Sequence, residues 1–354
     1  MVWLSKVFEL NREGFNWPRA VMFLGAALVP LIVLWATGEE QYMLSAVFGV
    51  LFLGVSDPGG AYGYRASHMA VFAVVGALLT ALGFAIGTAG WGWVTLAAFV
   101  VTLVAGLAVR FGVHRFVAAL LLNVWFVVAL ALASSYEHAH TTSHTWAQVL
   151  AWLAGCGLWI AVTFVAWLAR GREDRPQPVA EIPGDTSPRK LTPPLIMFAV
   201  IRALALAITV AIAFGLHLPN ADWMPIAALA AMKPSLEQTT LVAEQRVIGA
   251  LIGAILASAL MLTVDNKHAL EVVTLVLFVL AGATCFVNYA LYCAAVAGGV
   301  LIAIDIPHPS NLGAEGQRVL FTFIGVGIGV VVMLLANMLA KRSAKASPHA
   351  ASPA

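Results

Sequence analysis

Arg202, Lys233 and Arg246 are cations in a chain with very little room for them. Arg202 falls about eight residues into the apolar span 194–217, which contains FAVIRALALAITVAIAFGL, and at about 1.5 Å per residue this puts it roughly 12 Å past the start of a helix. An arginine at that depth costs about 2.5–3.5 kcal/mol even on the gentler insertion scale, and charges held inside a membrane mark ion or substrate pathways. Lys233 and Arg246 fall at neighbouring helix ends together with the carboxylates Glu237 and Glu244, while Arg65 and Asp57 occupy the facing position in the first half of the chain. Guanidinium and ammonium groups gathered in this way recruit carboxylates, and arginine grips them with two parallel hydrogen bonds. The plainer alternative is that Arg202 snorkels toward the interface and Lys233 pairs with Glu237 four residues on. Proton exchange needs a titratable group on the same path, for which Asp57, Glu237, Glu244, His68 and Asp305 are the candidates. Asn288 and Tyr289 begin a later apolar run, where they would meet an organic anion's carboxylate and ring.

Other chemistries find no support. Cys156, Cys285 and Cys293 all lie inside apolar segments, where a thiol behaves as a small hydrophobe, and their spacing matches no zinc pattern. His138, His140 and His144 in EHAHTTSH have a spacing that suits a metal, but they sit in a short loop with few other ligands, so neither metal nor cofactor is expected. The chain contains no G-x-x-x-x-G-K-[ST] loop and so does not hydrolyse ATP itself. A net charge of +2 without a basic recognition motif argues against nucleic acid.

The elements that must position these residues are membrane helices. Of 354 residues, 61% are hydrophobic and 10% charged, against roughly 25% charged in soluble domains, and mean hydropathy is +0.92. Lipid is therefore the solvent, and most enzyme classes are excluded for want of an aqueous domain. Apolar runs bounded by Gly, Pro and charge predict six spans at 18–37, 41–57, 66–88, 90–109, 114–135 and 145–169. Six more follow at 194–217, 221–236, 241–264, 268–285, 287–306 and 316–340. Residues 1–17 read as an interfacial helix, 170–193 as a cytoplasmic linker and 341–354 as a disordered tail. With both termini in the cytoplasm, all of the 19 lysines and arginines except Lys267 and Arg318 fall on or near the inner side. Trp91, Trp93, Trp125, Trp146 and Trp223 read as interfacial belt residues.

The order of features repeats. Each half opens with an arginine near the start of a long span (Arg19, Arg202), then a short span ending in charge and proline (Asp57-Pro58, Lys233-Pro234), then a glycine-bearing span. The fold class is thus an all-α polytopic membrane protein of about twelve helices in two parallel six-helix repeats. Short, Pro/Gly-interrupted segments at matching positions of two repeats point to a transporter's binding site.

The stretch DWMPIAALAAMKPSLEQTTLVAEQRVIGALIGAILASAL, followed by FVNYALYCAAVAGGVLIA and EGQRVLFTFIGVGIGVV, resembles the integral membrane domain of the fusaric acid resistance and aromatic acid exporter family. The matching positions are Trp223, Pro234-Ser235, Thr239, Arg246, Gly249, Gly253, Asn288-Tyr289 and Arg318, within 194–340. The resemblance implies a bacterial inner-membrane exporter of aromatic or other organic acids, driven by the proton-motive force and working with a periplasmic membrane fusion protein. Larger family members carry a substantial cytoplasmic domain, whose place is taken here by the short linker. On these grounds the substrate-binding residues are Arg202, Lys233, Arg246, Trp223, Asn288, Tyr289 and Arg65, and the proton-coupling residues are Asp57, Glu237 and Glu244. An anion channel, akin to the plant malate channels, and a non-transporting membrane subunit packed through faces such as GALIGAILAS are the alternatives. Self-association into a homo-oligomer stays open.

Overall fold

The structure is a computed structural model, and it describes residues 9–11, 17–58, 60–138, 140–173, 190–218, 223–232, 236–264, 266–284, 287–305 and 312–346. The interfacial helix at 1–17 and the linker at 170–193 fall largely outside these residues. Among those described, the chain is helical throughout: α1 Trp17–Thr37, α2 Met43–Ser56, α3 Tyr62–Ile86, α4 Trp91–Leu107, α5 Val113–His138 and α6 Thr145–Ala169. The second series is α7 Pro193–Gly215, α8 Trp223–Ala231, α9 Leu236–Thr263, α10 Lys267–Thr284, α11 Tyr289–Asp305 and α12 Leu312–Ala346. Six stretches are long and apolar enough to cross a membrane: Ala20–Thr37, Tyr62–Ile86, Trp91–Phe111, Arg115–Glu137, Thr145–Ala169 and Leu195–Gly215. Shorter apolar stretches lie in α2, α9, α10, α11 and α12. This is a multi-pass helical membrane protein.

Local chemistry sets the boundaries. Pro193 opens α7, where its missing N–H would be unpaired in any case. Asp57 leaves the helix because Pro58 follows it, and Gly60, at φ +99°, turns the chain into α3. Two expectations change. The span expected at 221–236 forms a helix of only 9 residues, Trp223–Ala231. At about 1.5 Å per residue it is less than half the roughly 30 Å of a bilayer core. Met232 and then Lys233-Pro234 follow it in the sequence, and proline disfavours helix in the residue before it. The tail expected to be disordered from 341 is helical to Ala346.

Packing joins α2 to α6, α3 to α5 and α6, and α4 to α5 in the first half. In the second half α8 joins α12, α9 joins α11 and α12, and α10 joins α11. Among the described residues three helix pairs connect the halves, α4 with α7, α1 with α10 and, less extensively, α5 with α8. Small residues permit the closest approaches: a Cβ on Gly155 of α6 would overlap the Ala46 carbonyl of α2, and one on Gly325 of α12 would overlap the Met224 carbonyl of α8.

The two halves fill their interiors differently. The first is aromatic: Trp125 and Trp152 stack at 4.9 Å and Phe23 stacks on Trp159 at 4.4 Å. Trp125 is therefore a core residue at the middle of α5, its indole N–H donating to Thr80 Oγ1 at 2.8 Å, and does not belong to the interfacial belt. Trp91, Trp93 and Trp146 are exposed, as belt residues are. In the second half, α9 meets α11 through Gly249 and Gly253 lying on Ala290, Cys293 and Ala294, with correspondingly small side chains between them.

Candidate functional site

Arg202 lies nine residues beyond Pro193, about 14 Å along α7 at the standard helical rise. The side chain is completely buried. Nε, Nη1 and Nη2 all lack a hydrogen-bond partner, and Arg202 is the one charged side chain among the described residues in that condition. Its guanidinium carbon stands 5.0 Å from the centre of the Phe116 ring, contributed by the first turn of α5. The site thus has one wall from each half of the chain. Around it, Phe198 and Ala205, a turn before and after Arg202 on α7, pack in one cluster with Phe116, Ala228 and Met232. Met232 adjoins the C-terminal end of the short helix α8, whose dipole favours a cation nearby.

A cation–π contact supplies about 2 kcal/mol or somewhat more when desolvated. That does not offset a guanidinium with no hydrogen bonds, since each buried unmet polar group costs about 1–3 kcal/mol and charged groups cost more. A carboxylate brought to this position could engage two of the free N–H groups at once.

The first half handles its buried arginine differently. Arg65 is also buried, but its Nε and Nη2 donate to Asp57 Oδ1 and Oδ2 at 2.8 and 2.5 Å, across the Pro58–Gly60 turn. Its guanidinium also lies 5.8 Å from the ring of Tyr62, which stacks on Trp167 of α6. Two residues expected in separate roles, substrate binding and proton coupling, are therefore held to each other in a closed pair.

Asn288 is likewise committed. Its Oδ1 accepts from the N–H groups of Ala290 and Leu291 at 2.8 and 3.1 Å, capping α11, and its Nδ2 donates to the Glu9 carbonyl at 3.0 Å. Tyr289 is half-buried and stacks against Tyr292 at 5.9 Å. Trp223, half-buried, opens α8, and Glu244 is half-buried on α9. His68 packs against Tyr64, outside the Arg202 cluster. Lys233 and the side chains of Glu237, Arg246 and Asp305 lie outside the described residues. Among the described residues expected to bind, Arg202 is the one whose charged side chain is buried without a hydrogen-bond partner. Phe116 and Met232, which no sequence motif marks, complete its surroundings.

Residues 206–332 match the family model described as fusaric acid resistance protein-like, which bears out the resemblance read from the second half of the sequence. The matched stretch begins four residues after Arg202 and includes all of α8 to α11. Neither a curated protein nor a solved structure matches the chain.

Proposed function

From a multi-pass membrane protein that is fusaric acid resistance protein-like over residues 206–332, we propose an inner-membrane transporter that exports organic carboxylic acids, aromatic ones above all. Arg202 carries this reading: a completely buried cation with no hydrogen-bond partner, at the junction of the two halves, has its charge met when an organic anion binds there. The Phe116 face beside it suits a flat apolar body attached to the carboxylate.

The chain is read as two parallel six-helix repeats with both termini in the cytoplasm. Support comes from matched partnerships: α2 packs on α6 as α8 on α12, α3 on α5 as α9 on α11, and the seam of α4 with α7 is matched by that of α10 with α1. Rocking of one half against the other would then expose Arg202 alternately to the two sides. Proton-motive force would drive export through a carboxylate near this path. With Asp57 engaged by Arg65, that role passes to Glu244 or Glu237, and Lys233 and Arg246 would attract the acid from the cytoplasm. A periplasmic membrane fusion protein would carry the released acid onward.

The test combines cells and vesicles. A strain lacking this chain is challenged with a panel of weak aromatic acids and complemented with the wild type or Arg202→Gln. Protection by the wild type and none by the variant is expected. In proteoliposomes, accumulation of benzoate against its gradient, abolished by a protonophore, is the carrier result. Purely downhill flux would make Arg202 the selectivity element of an anion channel, and protection that survives Arg202→Gln refutes the site.

A further inference from the structure

The two halves can be aligned on their closest backbone contacts. Ala20 of α1 lies against Gly282 of α10, as Ala199 of α7 lies against Gly106 of α4. Gly155 meets Ala46, as Gly325 meets Met224. Three positions beyond Ala20 stands Phe23, and three beyond Ala199 stands Arg202. Eight beyond Ala46 is Gly54, and eight beyond Met224 is Met232. Four beyond Gly155 is Trp159, and four beyond Gly325 is Gly329. The triplet Phe23, Gly54, Trp159 in the first half thus corresponds to Arg202, Met232, Gly329 in the second: the first three meet one another, Met232 meets Gly329, and the correspondence puts Arg202 beside that pair. Phe23 stacks on Trp159 at 4.4 Å, with its ring filling the place a Gly54 side chain would take. A Cβ on Gly329 would stand 3.4 Å from Met232 Cγ.

The exchange of large for small has a direct physical meaning. In the first half two rigid stacked rings close the position and no cation is present. In the second the bulk sits on Met232, an unbranched side chain with three rotatable bonds that repacks readily, and the residue behind it has no side chain at all. Gly325 is required by its backbone contact, but a Cβ at Gly329 would find neighbours at 3.2–3.4 Å, close enough to press on them without overlap. Glycine inside a helix is less favourable than alanine, and at Gly329 the contacts a Cβ would make are tight without being prohibitive.

Resting on the Arg202 reading above, we propose that the chain holds a single acid-binding site, in its second half, in which Met232 is the displaceable cover beside Arg202 and Gly329 sets the size of the acid admitted. The corresponding position in the first half is closed by Phe23 and Trp159. A bound acid places its carboxylate on Arg202 and its body where the Met232 side chain now lies, with Met232 turned against Gly329.

The experiment titrates purified full-length protein with benzoate and with 2-naphthoate, for the wild type, Gly329→Ala, Met232→Ala and Arg202→Gln, with melting temperature and elution volume confirming the fold. The expected result is one acid per chain. Gly329→Ala should weaken 2-naphthoate at least tenfold relative to benzoate, and Met232→Ala should strengthen 2-naphthoate relative to benzoate. If binding depends on Arg202 but the ratio of the two affinities is unchanged in both variants, the size assignment is overturned and the transport reading stands. Two acids per chain overturns the single site. Binding of neither acid by the wild type, or binding that survives Arg202→Gln, removes the transport site and this inference with it.

Discussion

Replacing Arg202 by methionine should make the protein more stable and incapable of binding its acid. The side chain is completely buried with three unpartnered nitrogens, and its one favourable contact is the Phe116 ring at 5.0 Å. On the insertion scale an apolar residue at this depth is better than arginine by about 2.5–3.5 kcal/mol. Loss of the cation–π contact gives back about 1–2 kcal/mol. The net expectation is a stabilisation of about 0.5–2.5 kcal/mol for Arg202→Met. Benzoate at ten times its dissociation constant should add ~1.4 kcal/mol to the wild type and nothing to the variant. Thermal unfolding in detergent, with and without benzoate, reads both effects in one series. The reasoning is refuted if Arg202→Met lowers stability by about 2 kcal/mol or more, the signature of a broken buried pair, or if benzoate still raises the variant's melting temperature.

The closed pair in the first half should respond in the opposite sense. Asp57→Ala strands Arg65 and should cost about 3–5 kcal/mol, most of it recovered in Asp57→Ala with Arg65→Met, as a double-mutant cycle of unfolding free energies would show. Two neighbouring glycines on α6 provide an internal control for packing. Gly155→Ala, whose Cβ would overlap the Ala46 carbonyl, should destabilise by about 1–3 kcal/mol. Gly157→Ala, which faces open space, should be neutral or stabilising by up to about 1 kcal/mol in the same melts.

Helix positions were highly legible from composition and punctuation, because apolar runs in lipid have one backbone solution and proline, glycine and charge end them. The short second segment of the later half was legible as short, but its reduction to Trp223–Ala231 depends on a proline whose reach is judged better from backbone than from hydropathy. Arg202 could be singled out because a cation in FAVIRALALAITVAIAFGL has no innocuous place. Phe116 could not, since an apolar residue in an apolar run carries no mark of the partner it will face. Asp57 and Arg65 read as independent charges because their pairing depends on the Pro58–Gly60 turn folding one back on the other. Trp125 was misjudged for a related reason: tryptophan favours membrane interfaces on average, yet Thr80 on a neighbouring helix satisfies its N–H in the core.

The unequal seams between the halves bear on how such a molecule could open. Where α4 meets α7, a Cβ on Gly106 would stand 3.0 Å from Ala199; where α10 meets α1, one on Gly282 would stand 3.7 Å from Ala20. If the halves rock as proposed, the tighter seam of α4 and α7 serves as the spine and the looser seam of α1 and α10 as the margin that parts. Arg202 is on the spine helix, so the deepest part of the fold is the part that turns least, and an acid held there would ride close to the axis while the outer margins sweep the larger arc.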